Sequence, residues 1–394
     1  MRATFARLFG FTPSKFELGF RILAQTIDTV VIGAGPAGLA VGACLRAKKL
    51  PFVQFERAAA LAPAWRRHYD RLHLHTVRWH SGLPMRSMPA DYPKYPSRQQ
   101  MVDYFDDYAR AFGLEPQLGV SVDSVLRGQD GWTVHTGAGA WVARNIVVAS
   151  GYNRVPNLPE IPGLEQFGGP VLHTSVYQNG ANFRDKNVLV MGCGNSGAEI
   201  ALDLFEHGAK TWLVVRGPVH VAPRDFLGRG AQETSIMLSR LPVWLADRLA
   251  WWTLRFAVGD LSEFGIYPPK KGPIRMVLEH GRVSMLDIGT LSHIRTGEIL
   301  VVPAVTTFSP GSATFADGRV LPFDAVVLAT GFRAGLAQFL DGADQLTNAR
   351  GLPTTHGDPA AAGLYFTGFR NPPTGALREI ALEAPRIAAS IAGH

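Results

Sequence analysis

The sequence contains two cysteines, Cys44 and Cys193, which lie far apart in a chain of 394 residues. No C-x-x-C motif is present, which argues against a disulfide reductase. Such sparse cysteine is typical of a reducing compartment, so we expect a cytoplasmic protein. No apolar run reaches the ~20 residues that a membrane-spanning helix requires.

Charged residues are also scarce, at 18% of the chain, and lysine and arginine outnumber aspartate and glutamate. The formal net charge is +7, but the basic residues are scattered and no nucleic-acid recognition motif appears. We therefore expect no nucleic-acid partner, and the positive charge suits a small anionic ligand such as a nucleotide phosphate. The length is sufficient for two hydrophobic cores, which predicts two domains.

Residues 1–25 are basic and aromatic, but Pro13, Lys15 and Glu17 interrupt any signal-peptide core. Two interpretations are retained for this extension. A helix packed on the body of the protein is favoured over a helix that lies on a membrane surface. Peripheral membrane contact and a homodimer are both left open by the sequence.

Glycine, in contrast, is plentiful, and one group of glycines lies in residues 28–57. Residues 29–32 form a β-branched apolar run, typical of a buried parallel strand. A G-x-G-x-x-G pattern follows, then a helix from Pro36, a second strand and the acidic Glu56. This order predicts a dinucleotide site, with the diphosphate at the helix N-terminus and a ribose on Glu56, although a plain glycine turn is the alternative. The predicted contacts are Gly33, Gly35, Pro36, Ala37, Gly38, Glu56 and Arg57.

A second copy of this pattern begins at Asn187, and its second strand is predicted over residues 212–215. The residue that closes that strand is Arg216 rather than an acid. Because an arginine there accommodates a 2′-phosphate, this site should prefer NADPH over NADH. Two units that end on opposite charges predict two cofactors, FAD at the Glu56 unit and NADPH at the Arg216 unit. The predicted NADPH contacts are Gly192, Gly194, Asn195, Ser196, Gly197 and Arg216.

Between the two units, residues 65–80 are rich in tryptophan, histidine and arginine. His73 and His75 alternate as strand residues do, no cysteine accompanies them and no zinc spacing is present, so we expect no metal site. An aromatic and cationic wall for a flavin or a substrate fits this composition better. We assign Trp65 and His73 to the cofactor site, together with Gln100 in the first turn of the next helix.

Strands that end on small residues and glycine, at 146–151 and 324–331, predict two corners where the chain crosses between domains. Thr330 and Gly331 of the second corner are assigned to the cofactor site. The fold class we expect is α/β, with two Rossmann-like dinucleotide-binding domains, the second inserted in the first. The predicted domains are 26–162 and 331–394 for FAD and 163–330 for NADP, with a helical insertion at about 226–285.

The insertion contains a strongly aromatic stretch, residues 241–261, which predicts an amphipathic helix. Three interpretations are retained for it. A helix that covers the nucleotide domain is favoured, ahead of a lid over the substrate and a membrane-facing surface.

With these motifs in place, the chain resembles the class B flavin-dependent monooxygenases over almost all of its length after residue 26. The signature of that family is an F-x-G-x-x-x-H-x-x-x-aromatic stretch between the two glycine patterns. It is present as Phe167, Gly169, His173 and Tyr177. Within the class, the chain is most similar to the YUCCA branch and its bacterial relatives, in the segments YDRLHLH, GCGNSGAEIALDL and DAVVLATGF.

The resemblance implies that NADPH reduces FAD, that the flavin captures O2 as a C4a-(hydro)peroxyflavin, and that one oxygen atom enters a small organic substrate. Because YUCCA enzymes convert indole-3-pyruvate to indole-3-acetate, it also implies an aryl 2-oxo acid as substrate. The flavin carries this chemistry, so no catalytic side chain is assigned, and the candidates are Arg71, His75 and Arg78. A substrate carboxylate should meet a cation, for which Arg66 and Arg67 are further candidates.

One departure from the family concerns the asparagine that many class B enzymes place near the flavin, which has no evident match in residues 75–78. This leaves the substrate open, and oxygenation of indole, amines or sulfides by the same chemistry is an alternative. An NADPH-dependent flavin reductase or oxidase would need the same two nucleotide sites without oxygen insertion. A non-enzymatic flavoprotein at a membrane is also compatible with the sequence.

Overall fold

The computed structural model describes residues 24–129 and 131–393. The predicted N-terminal extension, 1–25, lies outside the described residues apart from its last two positions. The strands are β1 (Gln25–Ile32), β2 (Phe52–Glu56), β3 (Gln117–Leu118), β4 (Val122–Arg127), β5 (Trp132–Thr136), β6 (Gly139–Val148), β7 (Val155–Pro156), β8 (Val171–His173), β9 (Asn187–Met191), β10 (Lys210–Val214), β11 (Val221–Pro223), β12 (Asp225–Phe226), β13 (Arg229–Gly230), β14 (Met285–Asp287), β15 (Ile299–Val302), β16 (Val305–Ser309), β17 (Ser312–Phe315), β18 (Val320–Pro322), β19 (Ala325–Leu328), β20 (Phe332–Arg333), β21 (Pro359–Ala361) and β22 (Leu364–Phe366). The helices are α1 (Pro36–Ala47), α2 (Pro63–Arg67), α3 (Arg98–Ala111), α4 (Asn195–Glu206), α5 (Ala231–Leu238), α6 (Val243–Val258), α7 (Pro273–His280), α8 (Thr290–Arg295), α9 (Ala343–Leu346) and α10 (Ala376–Ala392).

The first sheet has a parallel core in the order β22-β6-β1-β2-β3. Strand β1 is central, and its last four residues are buried because the sheet is covered on both faces. One covering layer is formed by α1, α3 and α10, with Leu39, Tyr104 and Ile387 in a shared core. On the other face lie β4, β5 and the chain near Phe339. Strand β22 joins this sheet from the far end of the sequence, so two distant stretches of chain build one layer.

The second sheet is parallel throughout, in the order β15-β10-β9-β19-β8. Helix α4 packs on it through the buried residues Ile200, Ala201 and Leu204. The chain enters this sheet after β7 and leaves it after β19, between strands of the first sheet. The α/β class with two nucleotide-type units is therefore confirmed, while the domain boundaries at 162/163 and 330/331 stay predictions.

The insertion lies between β11 and β14, which pair in parallel and so bring its two ends together. It consists of a short hairpin, β12–β13, followed by α5, α6 and α7. The helix predicted over 241–261 is α6, which is shorter at both ends because Pro242 occupies its N-cap and Gly259 adopts a φ of +76° after it. Asp247 of α6 accepts a 2.8 Å hydrogen bond from the amide of Ile274, which ties α6 to the first turn of α7. Within 24–129 and 131–393, no helix is both long and apolar enough to cross a membrane.

Candidate functional site

In the turn between β1 and α1, two glycines lie in close contact with neighbouring backbone atoms. Gly33 has a φ of +107°, and a Cβ there would lie 2.7 Å from the carbonyl oxygen of Ala149. A Cβ on Gly38 would lie 1.9 Å from the carbonyl oxygen of Gly33, so only glycine lets α1 pack this close to the turn. Gly35 differs, because its Cβ would meet no atom within 4 Å. Gly33 and Gly38 thus shape the turn, and the middle glycine faces open space in front of the helix N-terminus.

Glu56 is held at the end of β2 with its carboxylate almost fully buried. Its Oε2 accepts a 2.8 Å hydrogen bond from the amide of Ala34, and its Oε1 accepts one of 2.9 Å from Ala58. Each carboxylate oxygen keeps a further lone pair, so ribose hydroxyls can still donate to it. The side chain sits where the sequence pattern expects a ribose.

The second turn repeats the geometry of the first. Gly192 has a φ of +121° and its Cβ would lie 2.5 Å from the carbonyl oxygen of Ala329, while a Cβ on Gly197 would lie 1.8 Å from Gly192 O. The Cβ of Gly194 would again meet nothing within 4 Å. The chain therefore carries two helix N-termini with open space in front of their middle glycine, as two anionic diphosphates require.

Arg216 follows β10 and is exposed to solvent. Its guanidinium makes no side-chain hydrogen bond or ion pair with any residue that the structure describes. The charge of Arg216 is thus available to an external phosphate. Contact between Arg216 and the 2′-phosphate of NADPH stays a prediction.

A cavity of about 650 Å³ lies between the two glycine turns and the insertion. Most of the predicted site residues line it: Gly33, Gly35, Pro36, Ala37, Glu56, Arg57, Trp65, His73, His75, Gly194, Asn195, Ser196, Gly197 and Gly331. The others lie outside this lining: Gly38, Arg71, Arg78, Gln100, Gly192, Thr330 and Arg216. The structure thus brings residues of both predicted cofactor sites to one cavity.

Four of the residues outside the lining have partners of their own. The side chain of Gln100 accepts a 2.9 Å hydrogen bond from the amide of Ser97, as part of a capping box at the start of α3. Thr330 donates from its hydroxyl to the carbonyl oxygen of Asn157 at 2.6 Å. Arg71 is paired with Glu206, and the guanidinium of Arg78 lies over the ring of Trp79. These contacts hold the fold together, and they leave Arg71 and Arg78 away from the cavity wall.

The insertion supplies a further wall of the cavity, and a lid over the substrate was one of the three interpretations of its residues 241–261. The lining residues of the insertion and of the flanking strands β11 and β14 carry no charged group in the described structure: Ala222, Pro223, Phe226, Ala231, Gln232, Thr234, Ser235, Leu238, Ala250, Thr253, Leu254, Pro273, Ile274, Val277, Val283, Ser284 and Leu286. Gln232 fixes this wall, because it accepts a 2.9 Å hydrogen bond from the amide of Val77 and donates one of 2.7 Å to the carbonyl oxygen of Thr374. The amphipathic pattern of the helices was the only sequence signal for it.

The segment after the first unit is joined to α4 by a buried carboxylate, Glu199. The Tyr69 hydroxyl donates to its Oε2 at 2.8 Å, and Nε2 of His75 lies 3.3 Å from the same oxygen. Burial raises the pKa of Tyr69 well above its usual value, so this hydroxyl keeps its proton. Burial also lowers the pKa of His68 to about 4. Tyr69 and His68 are therefore both neutral at physiological pH.

The Phe167–Tyr177 stretch makes contacts around the second sheet. His173 donates from Nε2 to the carbonyl oxygen of Gly331 at 3.0 Å, and its Nδ1 accepts from the amide of Ser175 at 3.1 Å. The Tyr177 hydroxyl donates to Oδ2 of Asp203 in α4 at 2.6 Å. These contacts tie β8 to the second corner and to the helix that begins at the second glycine turn.

Two buried polar atoms in residues that line the cavity have no partner in the described structure, the hydroxyl of Ser150 and Nδ1 of His75. Most buried polar atoms in proteins have a hydrogen-bond partner, and a bound cofactor can supply one here. Together with the two open glycine positions and the Glu56 carboxylate, they fit a pair of dinucleotide cofactors. Among the described residues, no group of three or more His, Cys, Asp or Glu side chains is placed to bind a metal.

Three comparisons place the chain among known proteins. The sequence profile of the pyridine nucleotide-disulphide oxidoreductase family matches residues 30–226. The chain is 41% identical over 348 residues to indole-3-pyruvate monooxygenase YUCCA1 of Oryza sativa subsp. japonica, which covers 86% of each protein. It is 37% identical over 384 residues to YUCCA6 of Arabidopsis thaliana, covering 94% of this chain and 91% of that one.

The chain belongs to the YUCCA family of flavin-dependent monooxygenases. Its fold is similar to the solved structure of a flavin-containing monooxygenase from Stenotrophomonas maltophilia, with a TM-score of 0.71 and 25% identity over 94% of this chain and 99% of that one. The predictions of a monooxygenase and of FAD and NADPH as cofactors are thereby confirmed for the family.

The cysteines of this chain do not form the redox-active disulphide that the name of the matched family refers to. Cys44 lies in α1 and Cys193 in the second glycine turn, and both are free thiols. Burial raises the pKa of Cys44 to about 11 and that of Cys193 to about 12, so neither is a thiolate at neutral pH. What the chain shares with that family is the nucleotide-binding pattern.

Proposed function

We propose that this protein is an NADPH-dependent flavin monooxygenase that converts an aryl 2-oxo acid, such as indole-3-pyruvate or phenylpyruvate, to the corresponding aryl acetate. The observation that carries the proposal is that both glycine turns and the uncharged insertion wall line one and the same cavity. The similarity to plant indole-3-pyruvate monooxygenases supports the choice of substrate.

The first glycine turn, with Glu56, would hold FAD, and the second turn, with Arg216, would hold NADPH. Bound together, these cofactors supply hydride transfer and the activation of O2. The amides at the start of α1 and α4 then face the two diphosphates, and the Glu56 carboxylate accepts from ribose hydroxyls. The N-terminus of α10, at the edge of the same cavity, contributes a positive dipole to that site.

The insertion wall would exclude water and take the aryl ring of the substrate. Phe226, Leu238 and Leu254 give it an apolar surface, and Gln232 holds it against the loops at Val77 and Thr374. A dry wall of this kind protects a reactive oxygen species from hydrolysis. The position of this wall depends on the two contacts of Gln232, with Val77 and with Thr374.

Of the four arginines that the sequence offers for a substrate carboxylate, only Arg67 lines the cavity in the described structure. Arg66 is bound to Asp106 at 2.5 and 2.6 Å, and Arg71 is paired with Glu206. Arg67 is exposed and makes no side-chain hydrogen bond or ion pair with a described residue. We therefore assign the carboxylate of the oxo acid to Arg67.

The test is product analysis of the FAD-loaded protein with NADPH, O2 and each candidate substrate in turn. Indole-3-pyruvate and phenylpyruvate should each give the aryl acetate and CO2. The variant Arg67→Gln should raise KM for the oxo acid at unchanged flavin content, and Arg67→Lys, which keeps the charge, should raise it less. NADPH oxidation that yields only hydrogen peroxide with every candidate would contradict monooxygenation.

A second candidate function is oxygenation of a neutral substrate such as indole, an amine or a sulfide. The specific observation in its favour is the absence of charge from the described lining of the insertion, which suits a ligand without a carboxylate. Oxygenated indole or sulfide, with no aryl acetate from either oxo acid, would favour this candidate and leave the reaction class unchanged.

A further inference from the structure

The insertion exposes large apolar side chains on the side that faces away from the cavity. In α6 these are Trp244, Trp251, Trp252 and Phe256, and Phe256 is 83% exposed. The opposite side of the helix is buried at Ala246 and Ala250 or lines the cavity at Thr253 and Leu254. Helix α6 therefore lies between the cavity and an exposed apolar surface, and no described residue covers that surface.

The hairpin β12–β13 adds a second apolar projection to this surface. Its tip is Leu227, which is 85% exposed and has a φ of +49°. A non-glycine residue rarely adopts this left-handed conformation, and here it presents a leucine to solvent. The ring of the preceding Phe226 contacts that of Phe256 edge-on, with centroids 6.3 Å apart, so the hairpin and α6 form one continuous surface.

Over residues 225–258, the exposed charges that have no partner among the described residues are positive. Arg229, Arg240, Arg248 and Arg255 are exposed, and none makes a side-chain hydrogen bond or ion pair with a described residue. The acids of residues 225–258 each accept a hydrogen bond within the protein: Asp225 from Lys94 and Tyr95, Glu233 from Gly230, and Asp247 from Ile274. Beyond α6, Asp260 accepts one from Ser262, and Glu263 and Glu279 are also exposed. Asp247, the acid of α6, is turned inward with a side chain that is 12% exposed.

We propose that this apolar–basic face, formed by Leu227, Arg229, Trp244, Arg248, Trp252, Arg255 and Phe256, docks on the surface of an anionic lipid bilayer. Tryptophan and phenylalanine enter the headgroup region of a membrane, and arginine binds lipid phosphates beside them. A second copy of the chain fits the face less well, because a two-fold contact would bring Arg248 and Arg255 against the same positive face. Docking leaves the cavity side of α6 free, so it is compatible with catalysis and does not depend on the proposed substrate.

The test is co-sedimentation of the full-length, FAD-loaded protein with vesicles of phosphatidylcholine, with or without phosphatidylglycerol. The protein should bind the vesicles that contain phosphatidylglycerol and should be released by salt. Weak or no binding to both kinds of vesicle would overturn the proposal, as would equal binding to both.

Two pairs of variants separate the apolar and basic contributions. Leu227→Ser with Phe256→Ser should weaken vesicle binding at least tenfold, whereas Leu158→Ser with Val320→Ser, at exposed positions elsewhere, should not. Arg248→Gln with Arg255→Gln should weaken it about 25-fold, since each arginine near an anionic surface contributes about fivefold. The matched control is Arg184→Gln with Lys210→Gln, which removes the same charge from exposed positions near the amino ends of β9 and β10.

Unchanged flavin content and unchanged thermal unfolding show that each variant is folded. Equal losses in the face variants and their controls would overturn the proposal. So would self-association that the face variants abolish in the absence of lipid, because the face would then be an interface between copies of the chain.

Discussion

The hydroxyl of Tyr69 donates a 2.8 Å hydrogen bond to Oε2 of Glu199, which is 1% exposed. Tyr69 belongs to the segment that follows the first nucleotide unit, and Glu199 lies in the helix that starts the second. Among the described residues, this bond and the nearby Nε2 of His75, at 3.3 Å, are the side-chain contacts of the Glu199 carboxylate. The Tyr69 hydroxyl therefore links the segment after the first unit to the helix of the second through a buried carboxyl group that has few other partners.

The first prediction follows from that bond. The substitution Tyr69→Phe should lower the free energy of unfolding by about 1.5–3 kcal/mol, because a buried carboxylate loses a donor. The control is Tyr108→Phe, in which the hydroxyl of another buried tyrosine donates to a neutral carbonyl, that of Pro84, at 2.9 Å. Urea unfolding of both variants should show the larger loss at Tyr69. A larger loss at Tyr108 would mean that the Glu199 carboxylate does not depend on this bond.

The second prediction concerns the first glycine turn. Gly35 has a φ of −78° and open space at its Cβ position, so Gly35→Val should fold normally. The valine would fill the space needed by the FAD diphosphate, and the purified protein should be colourless. Gly38→Ala is the contrasting variant, because its Cβ would clash with the carbonyl oxygen of Gly33 at 1.9 Å and destabilise the fold itself. Absorbance and circular dichroism distinguish the two effects, and a fully yellow Gly35→Val protein would refute the assignment of FAD to this turn.

The third prediction concerns the choice between NADPH and NADH. Replacing Arg216 by Ala should weaken NADPH binding by about 1.5–3 kcal/mol, the value of a charge-assisted hydrogen bond, and leave NADH nearly unaffected. Lys210→Ala, at the other end of β10, should change neither nucleotide. Steady-state kinetics with both nucleotides measure the effect. Equal losses for NADPH and NADH would show that Arg216 does not contact the 2′-phosphate.

The fourth prediction concerns Glu383 in α10, which is buried and accepts a 2.8 Å hydrogen bond from the hydroxyl of Thr367. Burial raises the pKa of Glu383 above its usual value, so the folded protein retains this proton at a pH where the unfolded chain has lost it. The free energy of unfolding contributed by Glu383 must therefore fall as the pH rises above about 4.5.

The variant Glu383→Gln lacks this proton exchange and should lose less stability over the same range. Chemical denaturation at several pH values should show that the wild-type free energy of unfolding, minus that of the variant, declines with rising pH. An exposed control, Glu160→Gln, should leave the slope unchanged. A difference that grows with pH would contradict the account of Glu383.

Local signals explain why the nucleotide units could be predicted from the sequence. Helix α1 starts at Pro36, as expected, because proline is favoured in the first turn of a helix. Helix α3 starts at Arg98, directly after the Ser97 cap, and Gln100 lies in its first turn, as expected. The strand that precedes Arg216 begins and ends slightly earlier than predicted, at Lys210–Val214. Alternating and continuous apolar patterns define the core of such strands better than their ends.

The contacts that build the rest of the site connect distant parts of the chain, and no local pattern reports them. Gln232 binds Val77, 155 positions away, and Thr374, 142 positions away. The arginines of residues 66–78 could not be ranked from the sequence for the same reason. Arg71 has a partner 135 positions away, in α4, and only the structure shows that Arg67 remains free among the described residues.

The most direct test of the proposed function is the fate of molecular oxygen. The FAD-loaded protein is incubated with NADPH, indole-3-pyruvate and ¹⁸O₂, and the indole-3-acetate is analysed by mass spectrometry. Breaking the bond between the keto carbon and the carboxylate releases CO2, and NADPH with a proton takes the second oxygen atom to water. The account predicts that each indole-3-acetate carries one ¹⁸O atom and that the yield equals the NADPH consumed. Catalase is included, because labelled hydrogen peroxide released from the flavin would itself decarboxylate the oxo acid to labelled indole-3-acetate in solution. Indole-3-acetate without ¹⁸O, or a yield far below the NADPH consumed once catalase removes peroxide, would contradict the account.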